Sequence, residues 1–284
     1  MKNQKVIVVN GISRGGTNIL WNMIQSHPAV CGAMYETSRL FAPFMAHRLR
    51  FVADFTLMQP ALRVPPLMNV AGRLIDNRLY NFKLKNHGDV YNGFSSEGEP
   101  YSLDEVRNSA VCLKSINRTI YATPLFFRIY GPNVYFVSIF RDGYGICESW
   151  VRRGIPPEKT GRQYRQYVET MLKYADRYDH YMAVKFEDIL DRPFEVLEGV
   201  FRFAELEPPT VESFRLKSKA VLTEDGKHEA PYGKLDVKYW LDRETIHEFL
   251  VGDIAAIQKK ALAPDIIQAF EREAMPALKR LGYA

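Results

Sequence analysis

The first hydrophobic run of the chain, VIVV at residues 6–9, is continuous rather than alternating and ends at Asn10-Gly11. An unbroken β-branched run of this length suits a strand covered on both faces, as in a parallel sheet. The period then changes. Ile19, Leu20, Met23 and Ile24 share one face of a helix over residues 17–26, and His27-Pro28 stops it. Strand patterns recur at 30–35, at 110–114 (AVCLK), at 134–140 (VYFVSIF, preceded by Gly131-Pro132) and at 181–186. Helical periods occupy 143–153, 161–178 and 193–206, and residues 242–283 read as helical with breaks near Gly252 and Pro264. Strands alternating with helices predict an α/β fold: a parallel sheet of about five strands flanked by helices. No repeat, low-complexity stretch or linker divides the 284 residues, so the expectation is one domain over 1–284 with a helical insertion at about 39–108.

Composition narrows the class without naming a function. Hydrophobic residues at 46% and charged residues at 25% exclude a disordered or fibrous chain. The net charge of +5 is too small for a dedicated nucleic-acid binder, so no nucleic-acid partner is expected. Cys31, Cys112 and Cys147 form no CxxC pair and no Cys/His cluster, which argues against a metal knuckle or a disulfide framework. The apolar run at 6–9 is too short for a signal-peptide core, and nothing is long enough for a membrane span. The expected location is cytoplasmic. Nothing in the chain speaks to oligomeric state.

One segment departs from the rhythm. Residues 39–87 carry eight cations (Arg39, Arg48, Arg50, Arg63, Arg73, Arg78, Lys83, Lys85) against Asp54 and Asp76, a local +6. Phe41, Phe44, Phe51 and Phe55 are interleaved with them, and Pro60, Pro65 and Pro66 are expected to break any long helix. Two readings stand: amphipathic helices with a solvated basic face, or a cap over an active site that recognises an anionic acceptor or touches an acidic membrane surface.

The chemistry concentrates in Gly11-Ile12-Ser13-Arg14-Gly15-Gly16-Thr17-Asn18. Gly11 and Gly16 have the Gly-x4-Gly spacing of a phosphate-binding loop, after a strand and opening a helix. Glycines let backbone N–H groups converge on phosphate oxygens, and the helix N-terminus adds about half a positive charge. A triphosphatase loop would continue with Lys and then Ser or Thr, the pair that reaches the β/γ-phosphates and holds magnesium. Thr17 and Asn18 stand there instead, and the cation is Arg14. That disfavours an ATP-dependent kinase, which remains one alternative; a non-catalytic nucleotide-binding module is the other.

VIVVNGISRGGTNIL resembles the 5′-phosphosulfate loop of sulfotransferases that use 3′-phosphoadenosine 5′-phosphosulfate (PAPS), in bacterial-type, carbohydrate-sulfotransferase-like form. The family also carries a strand followed by Arg and, eight residues later, Ser; Arg141 and Ser149 have that spacing after the strand at 134–140. The resemblance implies that Arg14, Gly15, Gly16, Thr17 and Asn18 bind the 5′ side of the donor and that Arg141 and Ser149 hold its 3′-phosphate. More loosely, Lys185-Phe186-Glu187-Asp188 matches a segment whose aromatic lies against adenine, and Ala230-Pro231-Tyr232-Gly233-Lys234 stands where a basic loop closes over the nucleotide, with Lys227 or Lys234 as its cation. The implied reaction moves a sulfuryl group from PAPS, a co-substrate, to an acceptor hydroxyl or amine on a glycan, glycolipid or small metabolite, with no metal. Arg14 then serves the leaving group and Lys114 the sulfuryl oxygens. Where cytosolic small-molecule members have His two residues after that Lys, this chain has Ile116. Glu36, after the second strand, is the candidate base, with His87 a distant second.

Overall fold

A computed structural model describes residues 2–41, 64–88 and 102–284. Five parallel strands form the central sheet: β1 (Val6–Gly11), β2 (Val30–Gly32), β3 (Ala110–Ile116), β4 (Val134–Phe140) and β5 (Tyr181–Lys185), in the order β2-β3-β1-β4-β5. Every residue of β1 and β4 is buried, as their continuous apolar runs require. Side chains alternate between two cores. Val6 and Val8 join one with Phe126, Tyr164 and Phe270, while Ile7 and Val9 join the other with Leu20, Leu197 and Phe214.

Helices cover both faces. On one lie α1 (Thr17–Gln25), α8 (Phe186–Asp191) and α9 (Pro193–Phe203); on the other lie α5 (Thr123–Tyr130), α6 (Gly143–Val151), α7 (Pro157–Ala175) and the C-terminal α12 (Pro264–Leu281). The short helices α10 (Ile246–Phe249) and α11 (Ile254–Lys260) precede α12. The three cysteines are buried, as expected of small apolar residues. Among the described residues no helix is long and apolar enough to cross a membrane.

Several boundaries move for identifiable reasons. The second strand stops at Gly32 rather than continuing to Tyr35, because the Met34 N–H turns away from the sheet to the Phe82 carbonyl at 3.1 Å. Between β2 and β3 the described chain is helical: α2 (Thr37–Phe41), α3 (Pro65–Gly88) and α4 (Leu103–Asn108). Pro65 and Pro66 do not break a helix; they begin the 24-residue α3, where the first turn needs no intrahelical N–H donor. Arg48, Arg50 and Arg63 of the basic segment lie outside the described residues. After α9 the chain makes two small antiparallel pairs that no clean apolar alternation announced. These are β6 (Phe214–Lys217) with β9 (Lys238–Leu241), and β7 (Val221–Leu222) with β8 (His228–Glu229).

Candidate functional site

The register of the sheet brings three strand ends level, with Gly11 of β1 opposite Ile116 of β3 and Ile139 of β4. The glycine-rich loop leaves from that edge and is held on both sides. The Ser13 N–H donates to Asn117 Oδ1 at 2.8 Å, Asn117 Nδ2 donates back to Ser13 Oγ at 3.1 Å, and Trp150 Nε1 reaches the same Oγ at 3.2 Å. The Gly15 N–H closes a turn onto the Ile12 carbonyl at 2.9 Å. Arg14 and Gly16 both have positive φ, 71° and 88°. For arginine that conformation carries strain. At Gly16 a Cβ would stand 2.3 Å from the Phe186 ring, so glycine is needed for space as well as conformation. No side chain caps the first turn of α1, which leaves its amide dipoles facing the loop.

Around this loop the cations converge. Arg14 Nε donates to Ser149 Oγ at 2.9 Å, and Arg141 Nη1 donates to the Arg14 carbonyl at 2.8 Å. Arg141 is buried, its guanidinium lies 4.4 Å from the Phe186 ring centroid, and its Nη2 is bound by Gln258. Its Nε is buried with no hydrogen-bond partner. Gln258 in turn donates to Glu148 at 3.2 Å, and Glu148 pairs with Arg152 at 2.9 Å. Burial pushes the Arg141 pKa down to about 10, with repulsion from Arg14 adding to the effect. Partial burial, then Arg153 and Arg152, lowers that of Arg14. Such a cluster of partly desolvated guanidiniums is built to receive an anion. Gly145 makes room for it, since a Cβ there would lie 2.7 Å from Gln258 and 3.0 Å from Arg141.

The other wall comes from β3. Lys114 Nζ sits 3.1 Å from Glu36, donates to Asn18 Oδ1, and lies 5.0 Å from the Trp21 ring centroid. The turn carrying Glu36 is pinned by Thr37 Oγ1, which donates to the Lys114 carbonyl at 2.8 Å.

A single cavity of about 480 Å³ joins these parts. That size falls within the roughly 300–1,000 Å³ of small-molecule sites. Arg14, Gly16, Thr17, Asn18, Glu36, Arg141 and Phe186 line it, together with the apolar Leu190, Leu216, Leu222, Phe249, Val251 and Ile254. Lys114 and Ser149 stand just behind its wall, each bonded to a lining residue. Lys227 and Lys234 are exposed and do not line it; Lys227 pairs with Asp225 at 2.7 Å. The lysines that do are Lys217, Lys219 and Lys238. The Phe186 ring is almost wholly covered between Gly16 and Arg141. His87 falls in α3 and is described by its backbone alone.

A sequence model of the sulfotransferase family matches residues 6–210, which include the glycine loop, the Glu36–Lys114 pair and the Arg141–Ser149 pair. The chain belongs to the sulfotransferase family. No curated protein matches its sequence. Among solved structures, the sulfotransferase domain from the curacin biosynthetic pathway is 14% identical and covers 99% of this chain and 98% of its own, with a TM-score of 0.52. A sulfotransferase from Alicyclobacillus acidocaldarius is 13% identical and covers 98% of this chain and 94% of its own, with a TM-score of 0.48. The first of these likenesses establishes the fold.

Some residues of this sulfotransferase-family site gave no local signal. Asn117 stands at a strand end with positive φ, a conformation that Asn tolerates, so a Ser-Ile-Asn strand exit was the available hint. Gln258 comes from α11, more than a hundred residues after Arg141, and nothing in its neighbourhood marks it. Glu187 and Tyr283 work at one remove. The Asp142 N–H donates to Glu187 at 3.0 Å, and Tyr283 Oη donates to the other carboxylate oxygen at 2.5 Å, which fixes the strand exit that carries Arg141.

Proposed function

We propose that this protein moves a sulfuryl group from PAPS to a hydroxyl or amine of an acceptor. The observation that carries the reading is one cavity with three chemically distinct stations. Its lining combines an uncapped glycine loop with a guanidinium cluster, a set of apolar side chains, and Glu36 paired with Lys114. A nucleotide with phosphates at both the 3′ and 5′ positions matches that set of environments. The loop amides and Arg14 take the 5′-phosphosulfate, Arg141 and Ser149 take the 3′-phosphate, and the apolar side chains take the base.

In the reaction the acceptor oxygen forms a bond to sulfur while the bond between sulfur and the 5′-phosphate oxygen breaks. The released electron pair stays on the phosphate of adenosine 3′,5′-bisphosphate, next to Arg14 and the α1 amides. Glu36 accepts the acceptor proton. Lys114, already 3.1 Å from Glu36, faces the charge on the sulfuryl oxygens. The work of the site is then positioning and charge neutralisation.

Calorimetry with adenosine 3′,5′-bisphosphate tests the donor assignment, with ATP plus magnesium as the comparison. Tight binding of the bisphosphate, weakened by Arg141→Ala, is expected. Preference for ATP, or indifference to Arg141→Ala, would overturn it.

A further inference from the structure

Beside the donor cavity lies a second one, of about 560 Å³, between α2 and α3. Tyr35, Arg39, Arg78, Asn81, Phe82 and Lys85 line it, and among the described residues no acid does. Resting on the sulfotransferase reading above, we propose that this cleft is the acceptor subsite and that it takes an acidic saccharide, holding a carboxylate or sulfate of the sugar while a hydroxyl is presented to Glu36.

The two cavities are joined by a single step of the chain. Glu36 lines the donor cavity and the residue before it, Tyr35, lines the cleft, their Cα atoms about 3.8 Å apart. Arg39 belongs to the same turn, its N–H donating to the Glu36 carbonyl at 2.9 Å. The turn that carries the candidate base therefore borders both cavities.

The cations are arranged rather than merely numerous. Arg78 is half-buried, its Nε donates to the Arg39 carbonyl at 3.1 Å, and its guanidinium lies 5.3 Å from the Phe82 ring centroid. Phe82 is braced edge-on by Tyr35, with ring centroids 4.9 Å apart. Those contacts fix the guanidinium plane and leave its terminal N–H groups for a planar anion. Among the described residues Arg39, Arg78 and Lys85 form no ion pair with a carboxylate.

A solvated charged face intersperses both signs, and α3 does not. Asp76, its one acid, is buried on the opposite side against Asn3, bonded at 2.8 Å. Lys83 is likewise turned inward, onto the Arg107 and Ser109 carbonyls at 3.0 and 2.9 Å. What remains toward the cleft is uncompensated positive charge. A concave cleft with half-buried Arg78 set between the exposed Arg39 and Lys85, and with Tyr35, 37% exposed, and Asn81 in its lining, suits a sugar with an anion better than a flat membrane surface.

The test is calorimetry on the full chain saturated with adenosine 3′,5′-bisphosphate. It uses an unsulfated tetrasaccharide containing glucuronate and the same tetrasaccharide with its carboxyls reduced to glucose. The acidic form is expected to bind about tenfold tighter or more, as charge-assisted hydrogen bonds would give. The double variant R78Q/K85Q should abolish that preference while leaving bisphosphate affinity unchanged. Because Arg78 packs on Phe82, Lys85→Glu at an exposed position is the second variant and should also weaken the acidic form alone. Equal binding of the two saccharides, or no binding of either, overturns the proposal, as does preferential binding to phosphatidylserine vesicles. Selective saccharide binding by a protein that ignores the bisphosphate would instead bring down the donor assignment and leave the cleft standing.

Discussion

Arg141 holds the Arg14 carbonyl and Gln258 while its Nε lies buried and unbonded. Its replacement by alanine removes a brace for the loop and, on the proposed reading, a ligand for the 3′-phosphate. Bisphosphate affinity is expected to fall by roughly one to two orders of magnitude, following the 1.5–3 kcal/mol of a charged hydrogen bond; titration calorimetry reads it. Glu36→Gln separates proton transfer from donor binding: turnover should drop about 10²–10⁴-fold with bisphosphate binding unchanged. Gly16→Ala drives a methyl into Phe186, and the expected cost is about 1–3 kcal/mol of stability, measured by chemical unfolding, with loss of nucleotide binding. Arg14, Gly16, Arg141 and Ser149 were readable because they lie in short local patterns tied to a strand end. Gln258 and Asn117 were not, because their roles arise only when β4, β3 and α11 meet in space.

Among elements, α12 shows how a helix far from the cavity supports it. Phe270 is fully buried against Tyr144 and Tyr164, and Tyr164 Oη donates to the Arg141 carbonyl at 3.0 Å. Phe270→Ala should destabilise the protein by about 3–5 kcal/mol, the range for emptying a packed aromatic site, and chemical unfolding measures it. Strands such as VYFVSIF were legible because burial on both faces leaves an unbroken apolar run. The strands FRLK and KYWL were not, since they are four residues long and carry charges at the cavity rim. Likewise Pro65 and Pro66 signalled interruption by residue type, while their position at a helix start made them compatible with it.

Across the whole molecule, the net +5 resolves into charges with separate assignments. Lys83 is the least expected, buried on backbone carbonyls with its pKa pushed down to about 8 by burial. The unfolded chain, with an ordinary lysine at 10.5, therefore binds more protons than the folded one between pH 8 and 10.5. Stability contributed at this site rises across that interval. In paired unfolding curves, wild type should gain on Lys83→Met as pH increases from 8 to 10.5; a constant difference would refute this. The alternation of strands and helices made the parallel sheet readable, and its strand order came from pairing across distant segments.

That order has a consequence for how such a protein changes over time. β1 sits at the middle of the sheet, with the Arg141–Ser149 machinery reached through β4 on one side and the Glu36–Lys114 pair with the basic cleft reached through β2 and β3 on the other. On the proposed reading, donor grip and acceptor choice are inherited from different stretches of chain that share only the glycine loop. Residues 37–108 could then be exchanged as a cassette, giving new acceptors to an unaltered engine.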